Sequence, residues 1–199
     1  MGLLSESSFL SSRTGDNTHV SKGTDKNEFY RFTNPTVNDF PNMIELFSRK
    51  PDYLREIDTA LAPVHVSDEL QSLSAILLDD EYYDLLRNNA AVVNGCSVLN
   101  QPCLILFKMK AWLDLSERRA KGETVDAKDI RKHRNDVLRL TAGLEPKTSF
   151  PLTGKIRGDA ECFLHVLEND KDKIVPKQIG LQGVSTDALI ERLIDCFCL

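Results

Sequence analysis

LILFKMKAWLDLSERRAKGETVDAKDIRKHRNDVLRL, residues 104–140, carries the strongest signal in the chain and reads as a helical hairpin. Apolar residues recur at Ile105, Met109, Trp112 and Leu113, with Lys108, Trp112 and Leu115 on the flank, so one face of the first helix is apolar. The charged run DLSERRAKGE closes that helix, and Gly122 is the expected stop. Asp126 followed by Asp129 is an acidic variant of the capping box, placing two carboxylates at the positive end of the second helix, where a cap is worth about 1 kcal/mol. Ile130, Val137, Leu138 and Leu140 are expected inward, and Arg131, Lys132, Arg134, Asn135 and Arg139 on polar faces.

Working outward, 199 residues suffice for one ordinary domain or two small ones. The formal charge of -5 gives no general reason to expect nucleic acid, but the charge is uneven. Positions 117–139 hold eight Lys or Arg (118, 119, 121, 128, 131, 132, 134, 139) against five acids (117, 123, 126, 129, 136). A locally basic hairpin in an acidic protein suits a polyanion such as a triphosphate or RNA; a solvated helix face with internal ion pairs accounts for it equally well. Five cysteines without a C-x-x-C pair suggest free thiols in a reducing, cytoplasmic setting, and Cys196 and Cys198 read as small apolar residues of a terminal helix. No apolar run reaches the roughly 18 residues of a membrane span, and MGLLSESSFL lacks a basic signal-peptide start, so a cytoplasmic protein without a membrane partner is expected.

Upstream, residues 1–17 read as a flexible leader, and residues 18–32 as a β-hairpin around GTDKN. A strand over 43–47 follows, in which Glu45 lies between Ile44 and Leu46; SRKPDYL then reads as a polar exit and the Pro63 region as a connection. Glu45 is either the outward residue of a half-buried strand or a metal-binding carboxylate. Residues 74–78 form an apolar run leading into a helix begun by Asp79 or Asp80; Asp79, Asp80 and Glu81 read first as helix-start acids, with a metal cluster of an unrelated enzyme as the alternative. Asn94-Gly95 between two apolar pairs is a two-residue hairpin signal. Downstream, a helix is expected from Gly154, or from Asp159 if Gly158 interrupts it, with a semi-buried His165. A polar connection over 171–183 then leads to a last helix capped by Ser185 or Thr186. Strands dominate residues 18–99 and helices residues 100–199, an α+β chain with its natural cut near Asn100.

No phosphate-binding glycine loop, H-E-x-x-H or G-x-S-x-G occurs. However, FYRFTNP, FPNMIELFSRKPDYL, SLSAILLDDEYYDLL and above all FKMKAWLDLSERRAKGETVDAKDIRKHRNDVLRL resemble the distal part of bacterial nucleotidyltransferase-like proteins of the abortive-infection AbiEii type, members of the DNA polymerase β-like nucleotidyltransferase superfamily. The resemblance implies a partial mixed sheet followed by a helical domain. It also implies, in complete relatives, transfer of a nucleoside monophosphate from an NTP to an acceptor such as a tRNA end, with two Mg²⁺ ions held by three carboxylates. It places Glu45 as the third catalytic, metal-holding carboxylate, and Lys108, Asp129 and Lys132 as nucleotide-binding residues. The family's G-G or G-S turn and D-x-D strand do not occur before Glu45, which implies a truncated, catalytically incomplete chain. The alternative is a non-catalytic module that binds a partner protein, an antitoxin or a complementary chain.

Overall fold

The computed structural model describes residues 31–33, 43–52, 61–64 and 73–199. The leader over residues 1–17 and the first arm and loop of the expected 18–32 hairpin lie outside the described residues. The fold is mixed α+β, and the chain divides into two compact units, Met1–Tyr83 and Asp84–Leu199.

In the first unit, β1 (Arg31–Thr33) pairs antiparallel with β2 (Met43–Glu45), and Glu45 stands opposite Arg31 in register. The single strand expected over 43–47 is two strands. β3 (Phe47–Arg49) belongs to another sheet, ordered β3-β5-β4, in which it runs parallel to β5 (Leu73–Leu78). The switch falls at Leu46, whose carbonyl accepts from the Ile76 N–H at 2.8 Å. An alternating pattern has the same period in either sheet, so the break leaves no trace in hydrophobicity. Ser48 and Arg49, expected in a polar exit, are therefore strand residues.

Pro63, expected in a connection, sits inside β4 (Leu61–Val64), which is antiparallel to β5. β4 is an edge strand of this sheet, where the absent proline N–H need cost no ladder bond. Helix α1 (Asp80–Asn88) starts as expected. The Asp79 carboxylate accepts from the Tyr82 N–H at 3.0 Å, and Asp80 pairs with Arg49 at 2.5 Å, so Asp79 and Asp80 have structural roles.

The second unit opens with the hairpin of β6 (Ala90–Val93) and β7 (Cys96–Leu99). Asn94 and Gly95 both take positive φ, 50° and 80°, the geometry a two-residue turn demands. Asn100 then caps α2 (Gln101–Ala120), accepting from the Cys103 N–H at 2.9 Å; Pro102 is tolerated because first-turn N–H groups have no helical partner. Lys121 and Gly122 end α2, Gly122 at φ 87°. Asp126 caps α3 (Ala127–Ala142) through the Lys128 N–H at 2.8 Å.

Helices α4 (Gly154–Asn169) and α5 (Thr186–Phe197) complete the unit, and Gly158 does not interrupt α4. Ser185 caps α5 by accepting from the Ala188 N–H. The core combines Ile105 and Met109 of α2, Val137 and Leu138 of α3, Phe163 and Leu167 of α4, and Leu189, Leu193 and Phe197 of α5. Cys103 and Leu106 are also buried, whereas Trp112 is only half-buried, its ring edge-on to Phe163 at 5.3 Å. His165, expected semi-buried, is exposed and bonds Asn169 at 3.2 Å one helical turn on.

Candidate cationic groove on helix α3

Helix α3 carries two polar stripes on either side of its buried Val137 and Leu138. Asp129, Lys132, His133 and Asp136 follow the i, i+3, i+4, i+7 spacing of one face. On this side Lys108 of α2 reaches Asp136 at 3.2 Å, tying the two arms of the hairpin together. Asp136 is also met by Arg139 at 3.2 Å. Lys108, Asp129, Lys132 and Asp136 all act on the half-buried ring of His133. Burial, helped by Lys108 and Lys132 against the opposing pull of Asp136 and Asp129, holds that imidazole below its ordinary range. Its Nδ1 is enclosed and, among the described residues, has no hydrogen-bond partner.

The other stripe lines an open groove of about 430 Å³ between α3 and the segment after α4. That segment, expected as a plain polar connection, forms two short 3-10 turns, Lys171–Lys173 and Pro176–Ile179. Six cationic side chains line the groove: Lys128, Arg131, Lys132, Arg134, Arg139 and Lys173. Its other lining residues are Asn135, Gln178, Ile174, Val175 and Ile179, with no carboxylate among them. Arg139 fixes the far wall by donating from Nε to the Ile179 carbonyl at 3.0 Å. Lys173 is bound to Asp170 at 2.5 Å, which lowers the Asp170 carboxyl below its usual range. Among the described residues, Lys128, Arg131 and Lys132 make no ion pair, so their charges are left to solvent or to a ligand.

Arg134 differs from the other five. It is half-buried where they are exposed, and burial, ahead of its neighbour Arg131 and against Asp170, lowers its guanidinium from the ordinary value. Its Nε is enclosed with no partner among the described residues, and its Nη2 meets only Asn135 Oδ1, at 3.5 Å. A buried donor left unmade costs about 1–3 kcal/mol, so an acceptor brought to this guanidinium recovers a real penalty.

The residues expected to bind nucleotide are thus divided between settings. Lys132 lines the groove, Lys108 is engaged with Asp136, and Asp129 is exposed in the first turn of α3. Glu45 ends β2 in the first unit. Among the described residues no three His, Cys, Asp or Glu side chains come together as a metal site, so the described residues do not by themselves fit a pair of metal ions. No described helix is long and apolar enough to cross a membrane.

No known protein family, curated protein or solved structure matches the chain. The functional reading therefore rests on this geometry. Sequence reasoning counted Arg134 among the basic residues of the hairpin without setting it apart, and missed His133 and the 173–179 wall. The cations at 128, 131, 132 and 139 do share a helical stripe, which is the signal that would have located the groove.

Proposed function

We propose that this chain is a non-catalytic module that binds the phosphates of a nucleotide. The observation that carries the reading is the gathering of six cationic side chains in the lining of one groove, only Arg139 and Lys173 of them ion-paired among the described residues, with Asp136 and Asp170, in a chain of net charge -5. Charge is concentrated there at the cost of mutual repulsion, and a polyanion relieves it. Binding without turnover agrees with residues 1–44, which hold neither the G-G/S turn nor the D-x-D pair that comes before the third carboxylate in the nucleotidyltransferases the chain resembles. An acceptor such as a tRNA end belongs to complete enzymes of that kind and is not needed for the groove to work.

The test is titration of the chain with a fluorescent ATP analogue, with and without Mg²⁺, at low and high salt. Saturable binding that weakens with salt and is reduced several-fold by Lys132→Ala is expected. Absence of saturable binding at low salt would falsify the reading.

One observation favours the alternative of a partner-binding module. The β6–β7 hairpin exposes Val92, Val93 and Val98, with Val92 74 % exposed, on strands that carry no charge. Uncharged open edges invite further pairing. Light scattering that shows a monomer unchanged by Val92→Lys would remove this reading.

A further inference from the structure

We infer that Arg134 is the anchor of the groove and that it receives a terminal phosphate, the end of a phosphate chain, rather than an internal phosphodiester. The inference rests on the phosphoanion reading above and names the ligand chemistry it leaves open. Five of the six cations stand exposed, and Arg134 alone is half-buried. Its fork is held by no close hydrogen bond: Nε has no acceptor among the described residues and Nη2 has one at the limit of bonding distance, while the Asp170 carboxylate acts on it through its charge. Turning this guanidinium toward a ligand therefore breaks no bond at Nε, and the planar fork matches two oxygens of one phosphate.

Depth decides which phosphate. A terminal phosphate has three unsubstituted oxygens and a single attachment, so it can descend to a recessed fork while still offering an oxygen to Lys128 or Lys132. An internal phosphodiester has two free oxygens and chain on both sides, which holds it at the level of the exposed lysines. Arg134 thus reads the chain end, and the surrounding cations supply attraction without that distinction.

The experiment uses the full chain and fluorescence anisotropy with one short single-stranded RNA sequence, prepared with a 5′-triphosphate or a 5′-hydroxyl end. The triphosphate form should bind about tenfold tighter or better. Inorganic tripolyphosphate should displace it. Arg134→Lys, which keeps the charge and loses the fork, should erase the preference and leave the salt dependence unchanged, whereas Lys128→Ala should weaken both RNAs alike and lower the salt slope. Equal affinity for the two ends in the unaltered chain overturns the inference while the groove reading stands. Failure of both RNAs and tripolyphosphate to bind overturns the two together. A preference that survives in Arg134→Lys removes Arg134 as the anchor. Free ATP competing as well as tripolyphosphate upholds both the nucleotide reading and terminal-phosphate recognition; ATP failing to compete while the triphosphate RNA binds overturns the nucleotide reading and assigns the terminal phosphate to an RNA end.

Discussion

Two of the five cysteines are set apart by burial. Cys103 and Cys196 are enclosed in the second unit, and loss of solvation pushes both thiols up to about 11. Cys96, Cys162 and Cys198 are exposed. Because only the thiolate reacts, iodoacetamide at pH 8 on the native chain should modify three thiols, and the remaining two only after denaturation, as counted by intact mass. Cys198, expected as a packed residue of the last helix, instead caps it in the left-handed region at φ 55°. His133 behaves in the opposite sense. Its folded pKa lies below the unfolded value, so the neutral ring contributes stability that is fully present above about pH 6.5 and is lost as pH falls below that. Urea midpoints measured from pH 7.5 to 5 should fall for the natural chain, and His133→Gln should flatten part of that decline. An unchanged slope would show that the enclosed ring is not what the pH acts on.

Helix ends are where local chemistry speaks most directly. Asn100, Asp126 and Ser185 each accept from a backbone N–H in the first turn of the helix they precede, and two of the three were expected from composition and spacing alone. Asp126→Ala should cost about 1 kcal/mol, read as a lower urea midpoint with an unchanged slope. The end of α3 follows a different logic. Gln101 donates to the Leu140 carbonyl at 2.6 Å and Arg192 to that of Ala142 at 3.1 Å, so residues distant in sequence satisfy its last turn. A Cβ at Gly143 would lie 2.9 Å from the Gln101 amide nitrogen. Gly143→Ala should therefore loosen that cap at modest cost, because the neighbour is the end of a flexible side chain. Amide exchange at the N-terminal end of α2 and the C-terminal end of α3 should rise, with the middle of α3 unaffected.

At the scale of the whole molecule, the second unit owes its stability to apolar contact among four helices. Phe163 is 1 % exposed and meets the edge of Trp112, so Phe163→Ala should cost about 3–5 kcal/mol, seen as a large fall in the thermal midpoint with loss of near-ultraviolet signal from the tryptophan. The helical hairpin, the Asn94-Gly95 turn and the apolar face of the last helix could be read from residues 90–199 because each depends on neighbours within one turn or one ladder. Periodicity, caps and turn residues are local physics, and by themselves they determined where helices run and which of their faces are apolar. The split of residues 43–49 between two sheets, the strand around Pro63, and the pairing of Lys108 with Asp136 depend on which distant backbone or side chain arrives. The groove is of that second kind. Its charges are visible on α3, but its wall comes from residues 173–179, and the partial burial that singles out Arg134 exists only in the folded chain. Solvation is a property of assembled surroundings, so only the tertiary structure could separate one recessed guanidinium from five exposed cations of the same sign.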